Sequence, residues 1–241
     1  MKGIILCGGK GTRLAPMTQY LNKHLLNVYD KPMVLYPLDT LKSLGIEDIL
    51  IVSGGDHIGS FMEFLGDGSK YGVNLTYRVQ TEANGIAGAL LLAEDFAGND
   101  GIAVILGDNI FEDISQMEIP KGVGMEGAFF LFAHVSDPKR FGVPVFGIGG
   151  TISLIGIEEK PVKPQSEYAV TGFYIYPPTV FEVIKTQLPS ARGEYEITDT
   201  NNFYINSKKC AYAFHEGFWH DAGTHDSLLD SSIWAREHAK K

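Results

Sequence analysis

Residues 3–14 read Gly-Ile-Ile-Leu-Cys-Gly-Gly-Lys-Gly-Thr-Arg-Leu, so an apolar run passes directly into a glycine-rich loop. A short apolar run that ends in glycine is typical of a buried strand followed by a sharp turn. Glycine lets the backbone turn tightly and present its N–H groups to an anion. The guanidinium of Arg13 beside such groups suits a phosphate, because it donates two parallel hydrogen bonds. The stretch therefore predicts a strand with an anion-binding loop at its carboxyl end.

This loop differs from the two best-known phosphate-binding loops. A P-loop has Lys and then Ser or Thr after its last glycine, whereas here Lys10 is followed by Gly11. The dinucleotide-binding pattern G-x-G-x-x-G, started at Gly9, requires glycine at the position that Leu14 occupies. A tight turn without a ligand remains the alternative for the glycines taken alone.

Outward from the loop, strand-like and helix-like segments alternate. Apolar strands are predicted at 49–53, 73–79 and 102–106, and helices at 32–44, 58–65 and 86–96. This βαβαβαβ order predicts an α/β fold, a Rossmann-like doubly wound mixed sheet flanked by helices. Ligands of such sheets bind outside the carboxyl ends of the strands, which is where the glycine loop falls.

After residue 125 the chain becomes richer in strands. Strand-like runs at 128–135, 151–157 and 168–176 are joined by turns rich in proline and glycine. Further elements are predicted as helices near 178–187 and 197–206, a strand around Ala211 and a last helix at 224–238. No repeat or long linker interrupts the chain, so we expect the β-rich half to share the sheet.

The composition limits the kinds of partner. The 241 residues carry a formal net charge of −9, which argues against a nucleic-acid partner, since such binding depends on a basic surface. The two cysteines, Cys7 and Cys210, are too few for a disulfide scaffold, so we expect a reducing, cytoplasmic location. No segment approaches the roughly 20 apolar residues of a membrane span, and no membrane association is expected.

A series of blocks that starts with the glycine loop resembles the sugar-phosphate nucleotidylyltransferases. In chain order the blocks are residues 8–18, 22–26, 106–111, 137–143, 158–161, 168–172, 190–199 and 221–225. Because they extend over almost the whole chain, the resemblance implies one nucleotidyltransferase domain at 1–241. Its residues 1–110 would mainly bind the nucleotide, and residues 111–241 would mainly bind the sugar phosphate.

The resemblance implies a Mg²⁺-dependent transfer of a thymidylyl group from dTTP to α-D-glucose 1-phosphate, giving dTDP-glucose and pyrophosphate for deoxysugars such as dTDP-rhamnose. The attacking phosphate is already ionised, so catalysis would rest on positioning and electrostatics rather than on a strong general base. Two alternatives remain open: the same chemistry with UTP or another hexose 1-phosphate, and a non-catalytic nucleotide-sugar sensor. The resemblance also implies a homo-oligomer, a tetramer or a dimer.

The resemblance assigns roles to individual residues. The implied catalytic residues are Arg13, Lys23, Asp108 and Lys160. The implied substrate-binding residues are Gly8, Gly9, Gly11, Thr12, Arg13, Lys23, Gln80, Gly85, Asp108, Asn109, Gly142, Glu159, Lys160 and Val170. Asp108 and Asp221 would share the Mg²⁺, for which carboxylate oxygens are suitable ligands.

Two of these assignments have alternatives in the sequence itself. Either aspartate, taken alone, could be a turn residue that bonds to its local backbone. Glu158 is adjacent to Glu159 and lies on the opposite face of a strand. The preference for Glu159 as the acceptor of sugar hydroxyl groups rests on the resemblance alone.

Overall fold

The computed structural model describes residues 1–147 and 153–239. The strands in these ranges are β1 (Lys2–Cys7), β2 (Asn27–Val28), β3 (Lys31–Pro32), β4 (Asp48–Gly54), β5 (Asn74–Gln80), β6 (Ile102–Leu106), β7 (Asn109–Phe111), β8 (Ala128–His134), β9 (Gly142–Gly147), β10 (Ser153–Glu159), β11 (Tyr168–Tyr176), β12 (Cys210–His215) and β13 (Trp219–Asp221). The α-helices are α1 (Leu35–Ser43), α2 (Ile58–Leu65), α3 (Gly85–Leu91), α4 (Glu94–Ala97), α5 (Val180–Lys185), α6 (Ile197–Asn206) and α7 (His225–His238).

Seven strands form one sheet in the order β12-β8-β11-β6-β1-β4-β5. Strand β4 is parallel to both β1 and β5, and β12 is parallel to β8, whereas β11 is antiparallel to β8. The sheet is therefore mixed and is flanked by helices, which confirms the predicted α/β class.

The chain forms two compact units. The first unit comprises residues 2–83, 104–117 and 217–241, and the second comprises residue 1, 84–103 and 118–216. The glycine loop belongs to the first unit, and the strand pair β9–β10 belongs to the second.

A cluster of apolar side chains anchors the glycine loop in the first unit. Leu14, which follows the loop, is fully buried and lies in a cluster with Leu228 and Ala235 of α7. Helix α7 begins after Thr224, whose hydroxyl accepts a hydrogen bond from the N–H of Ser227 at 3.2 Å. The hydroxyl of Ser227 accepts one in return from the N–H of Thr224 at 3.1 Å. This reciprocal cap fixes the start of the helix next to β13.

Helix α6 supports strand β10 in the second unit. The side-chain amide of Asn202 accepts a hydrogen bond from the N–H of Ile157 at 2.8 Å and donates one to its carbonyl oxygen at 2.9 Å. The amide thus replaces the backbone of a neighbouring strand at this position. The other edge of β10 pairs with β9, with Glu159 opposite Gly142.

Most predicted elements occur where the sequence indicated them, and the differences have local causes. The predicted helix 32–44 begins only at Leu35, because Pro32 belongs to the small β2–β3 ribbon. The predicted helix 86–96 is divided into α3 and α4, since the N–H of Leu92 and the N–H of Ala93 bond three residues back instead of four. Strands β2, β3, β7, β9 and β13 are not among the predicted elements. Residues 151 and 152 of the predicted strand 151–157 lie outside the described residues.

In the described part of the chain, no helix is both long enough and apolar enough to span a membrane.

Candidate active site

The glycine loop begins where β1 ends and has the backbone conformations that its composition predicts. Gly9 and Gly11 have φ angles of 90° and 63°, in the left-handed region that favours glycine. A Cβ atom at Gly11 would lie 2.9 Å from the side chain of Thr18, whose hydroxyl donates to the Gly11 carbonyl at 2.8 Å. Thr12 and Arg13 then lie exposed in a short 3-10 turn.

Gln80 lies close to this loop. It is the last residue of β5, and its Oε1 would be 2.8 Å from a Cβ atom at Gly8. The absence of a side chain at Gly8 thus leaves room for the Gln80 amide. The structure brings this predicted substrate-binding residue to the glycine loop.

The short antiparallel ribbon of β7 and β13 brings the two predicted metal ligands together. Asp221 lies opposite Asn109 in the ribbon, and the N–H of Ala222 donates to the carbonyl oxygen of Asp108 at 2.8 Å. The amide of Asn109 donates to Asp108 Oδ1 at 3.1 Å and accepts from the indole N–H of Trp219 at 2.8 Å. Asp108 is therefore held by both its backbone and its neighbour.

Three charged groups converge on Gly223. A Cβ atom at this glycine would lie 2.7 Å from Asp221 Oδ1, 3.0 Å from Arg13 Nη2 and 3.5 Å from Asp108 Oδ2. The N–H of Gly223 itself donates to Asp221 Oδ1 at 2.9 Å. A side chain here would therefore crowd the Asp221 carboxylate and the Arg13 guanidinium, and its Cβ atom would be in contact with Asp108.

Lys23 forms an ion pair within this group. Its Nζ lies 2.5 Å from Asp108 Oδ2, with only 13% and 10% of the two side chains exposed. Burial alone would raise the pKa of Asp108, but the charge of Lys23 and the hydrogen bonds from Lys23 and Asn109 together hold this pKa well below its usual range. Burial would lower the pKa of Lys23, but the charge of Asp108, its hydrogen bond with Lys23 and the charge of Asp221 together raise this pKa.

The second carboxylate differs electrostatically from the first. Burial and the negative charge of Asp108 together raise the pKa of Asp221, although Lys23 and Arg13 oppose this shift. Because like charges repel each other, the two carboxylates are held together by the surrounding structure and not by an attraction between them. In the described residues, Asp108 and Asp221 have no third Asp, Glu, His or Cys with which they could enclose a metal ion.

The turn that carries Lys23 is built around Asn22 and His24, which the sequence reasoning did not assign. The side-chain oxygen of Asn22 accepts from the N–H of His24 at 2.9 Å and lies 2.7 Å from its Nδ1. His24 is 1% exposed, and burial together with the nearby charge of Lys23 lowers its pKa to about 3. The imidazole is thus neutral and acts as a packing and hydrogen-bonding group.

The second unit brings together Gly142, Glu159 and Val170. A Cβ atom at Gly142 would lie 3.5 Å from both Glu159 Oε2 and Val170 Cγ2. Lys160 has a left-handed φ of 45°, its N–H donates to the Phe141 carbonyl at 2.9 Å, and its Nζ lies 3.1 Å from Glu159 Oε1. Four of the predicted sugar-phosphate residues are therefore neighbours.

Glu158 and Glu159 have different surroundings. Glu159 Oε2 accepts a hydrogen bond from the hydroxyl of Thr198 on α6 at 2.6 Å. Glu158 Oε1 accepts one from Gln165 at 3.0 Å on an exposed part of the surface. Only Glu159 belongs to the group around Gly142, and this supports the choice made from the resemblance.

Gly85 has a structural explanation of its own. Its φ angle is 93°, and a Cβ atom there would lie 2.6 Å from the carbonyl oxygen of Tyr195. That carbonyl accepts from the N–H of Ala87 at 3.2 Å, at the start of α3. Close approach of the Tyr195 backbone therefore requires glycine at this position whether or not a ligand is present.

Sequence comparison matches residues 2–237 to a family model described as nucleotidyl transferase. The chain belongs to the nucleotidyl transferase family. It is an enzyme that acts on small-molecule substrates, and enzymes of this family generally use a divalent metal.

This nucleotidyl transferase is similar to several named proteins and solved structures. A glucose-1-phosphate thymidylyltransferase of Neisseria meningitidis is 44% identical over 240 residues, which cover 98% of this chain and 83% of the relative. A glucose-1-phosphate thymidylyltransferase of Mycolicibacterium smegmatis is 44% identical over 244 residues, which cover 98% of this chain and 82% of the relative. A crystal structure from Bacillus anthracis, provisionally given the same name and in complex with a sucrose, is 49% identical. It covers 100% of this chain and 97% of its own, with a TM-score of 0.90. A UDP-glucose pyrophosphorylase with bound UDP-glucose, 22% identical with a TM-score of 0.83, shares the fold.

The buried neutral state of His24 predicts a pH dependence of stability. Below about pH 6.5 the unfolded chain binds a proton at this residue that the folded chain excludes, so the stability falls as the pH is lowered. The free energy of unfolding therefore has a positive slope against pH. We expect His24→Gln to reduce that slope by up to about 1.4 kcal/mol per pH unit. Urea unfolding between about pH 7 and pH 5 measures the slope.

The matched control is His134→Gln, because the side chain of His134 is 64% exposed. This variant should keep the slope of the unsubstituted protein. An equal slope in the His24 and His134 variants would contradict a buried neutral imidazole at position 24.

Proposed function

We propose that this nucleotidyl transferase transfers a thymidylyl group from dTTP to α-D-glucose 1-phosphate, releasing pyrophosphate and forming dTDP-glucose. The observation that carries the proposal is the convergence of Arg13, Asp108 and Asp221 on Gly223. The relatives named glucose-1-phosphate thymidylyltransferase, at 44% identity over nearly the whole chain, support the choice of substrates.

The reaction joins two anions, and the site residues suit that difficulty. An ionised oxygen of the sugar phosphate attacks the α-phosphorus in line, and pyrophosphate leaves. The N–H groups of the glycine loop, Arg13 and Lys23 bind the triphosphate and stabilise the negative charge that accumulates during transfer. No residue needs to remove a proton from the nucleophile.

Asp108 and Asp221 fit a divalent cation. The two carboxylates are neighbours, and Asp108 is at most one-tenth exposed. The absence of a side chain at Gly223 leaves space beside both of them. Two carboxylate ligands leave the remaining positions of a Mg²⁺ ion to water and phosphate oxygens, as this ion prefers. Bound Mg²⁺ would supply positive charge for the phosphates, and we propose it as the physiological metal.

The group around Gly142 is proposed to bind the sugar phosphate. Glu159 accepts hydrogen bonds from sugar hydroxyl groups, and the ammonium group of Lys160 binds the phosphate. Gly142 and Val170 line the sugar site. Thr198 orients the Glu159 carboxylate through the 2.6 Å hydrogen bond.

The remaining assignments complete the proposal. Gln80 and Gly85 contact the base, Asn109 orients Asp108, and Gly8, Gly9, Gly11 and Thr12 hold the triphosphate. Residues 1–110 mainly bind the nucleotide and residues 111–241 mainly the sugar phosphate, within one domain. The resemblance supports a cytoplasmic homo-oligomer.

Pyrophosphate release tests the proposed reaction. The assay combines dTTP, UTP, ATP or GTP with glucose 1-phosphate or with other hexose 1-phosphates, in the presence of Mg²⁺. We expect the fastest release with dTTP and glucose 1-phosphate. Faster release with another pair would overturn the proposed substrates, and no release from folded protein that binds nucleotide would favour the sensor.

Asp108→Asn tests the role of the acidic pair. We expect turnover to fall by about 10²-fold or more, as when charge stabilisation at a transition state is lost. Binding of dTTP, measured by calorimetry, should persist, because the glycine loop and Arg13 remain. The control is Asp113→Asn, an exposed acid that accepts a bond from its neighbour Ser115; equal turnover in both variants would contradict the assignment.

Glu159→Gln tests the sugar site. A hydrogen bond to a charged group is worth about 1.5–3 kcal/mol, so the KM for glucose 1-phosphate should rise about tenfold or more. The KM for dTTP should change little. The matched control is the adjacent Glu158→Gln, and a larger rise in KM in that variant would transfer the role to Glu158.

A further inference from the structure

We propose that Lys23 is an exchangeable counter-ion of the metal site. Its ammonium group forms an ion pair with the Asp108 carboxylate in the free enzyme, and it is displaced when a divalent cation binds to Asp108 and Asp221. The displaced ammonium group is then available to a phosphate. This inference rests on the proposed function in one respect, namely that the two carboxylates hold a divalent metal.

The first support is the identity of the oxygen atom involved. Lys23 Nζ lies 2.5 Å from Asp108 Oδ2, and this same oxygen would lie 3.5 Å from a Cβ atom at Gly223, which would itself be 2.7 Å from Asp221 Oδ1. A Mg²⁺ ligand oxygen lies about 2.0–2.1 Å from the metal. An ammonium group and a divalent cation at one carboxylate oxygen would repel each other strongly, so the two compete for Asp108.

The second support is the burial of the pair. The side chains of Lys23 and Asp108 are 13% and 10% exposed, whereas those of Lys31 and Asp39, also 2.5 Å apart, are 32% and 58% exposed. Surface pairs such as the latter contribute little because water screens them. The buried pair is screened far less, and its separation carries a real energetic cost.

The third support is the charge balance. Arg13 and Lys23 neutralise Asp108 and Asp221, so the group carries no net charge before any ligand binds. When a divalent cation neutralises the two carboxylates, Arg13 and Lys23 are left with two positive charges for the triphosphate. Metal binding therefore favours phosphate binding, and by linkage phosphate binding favours metal binding to the same extent.

Direct metal binding without nucleotide tests this inference. Mn²⁺ is the probe, and the loss of its free-ion electron paramagnetic resonance signal measures binding. We expect Lys23→Met to bind Mn²⁺ at least about tenfold more tightly than the unsubstituted protein. Lys31→Met, which breaks the matched exposed pair, should leave the affinity unchanged.

Two results would overturn the inference. One is Mn²⁺ affinity in Lys23→Met that is equal to or weaker than in the unsubstituted protein. The other is unchanged affinity when Asp108→Asn is added to Lys23→Met, because the ion would then bind elsewhere.

A measurement on the unsubstituted protein covers the case in which Lys23→Met does not fold. Acetylation by an N-hydroxysuccinimide ester, quantified at each lysine by mass spectrometry, should increase severalfold at Lys23 when Mn²⁺ is saturating. Lys31 should be acetylated equally with and without the ion. No increase at Lys23 under saturation would overturn the displacement.

These measurements separate the inference from the proposed reaction, since neither contains a substrate. Pyrophosphate release from dTTP and glucose 1-phosphate without any displacement of Lys23 would overturn only the inference. Displacement without release would overturn only the reaction.

Discussion

The candidate active site depends on the pairing of β7 with β13. Each strand has only three residues, yet their register places Asp221 opposite Asn109 and connects the backbone of Asp108 to Ala222. A buried carboxylate and a partly buried one are thereby forced together, and burying such ions costs several kcal/mol each unless cations accompany them. The structure meets this requirement with Lys23 and Arg13, which the turn and the glycine loop bring to the same place.

Such an arrangement is a poor way to obtain stability. Replacing a buried ion pair by apolar residues of similar volume is often neutral or stabilising. The first unit has an apolar cluster around Leu14 directly beside the loop, so further apolar packing is physically available. Three charged groups with shifted pKa values at one point, those of Lys23, Asp108 and Asp221, are therefore better explained by a charged ligand than by folding.

The sequence allowed much of the fold to be predicted, because buried strands are contiguous apolar runs. Strands β6 and β11 and helices α2 and α6 occur with the predicted bounds. Strands β7 and β13 could not be predicted in this way, since three residues show no periodicity and β13 contains His220 and Asp221. Their pairing joins distant parts of the chain, and no local pattern encodes it. The role of Gly223 follows only from this pairing, because the groups that it accommodates come from three segments.

The sequence motifs identified which residues belong to the site, but they did not show which of these residues form ion pairs with one another. The resemblance assigned Lys23 to a phosphate and Asp108 to a metal as separate roles, whereas in the structure the two form one buried ion pair. The two descriptions agree if each residue has one partner before ligands bind and another afterwards. A free enzyme must balance its buried charges in the absence of substrate, and it has only its own side chains for this purpose. In this chain the least costly solution is for the groups that later hold the metal and the phosphate to neutralise each other first.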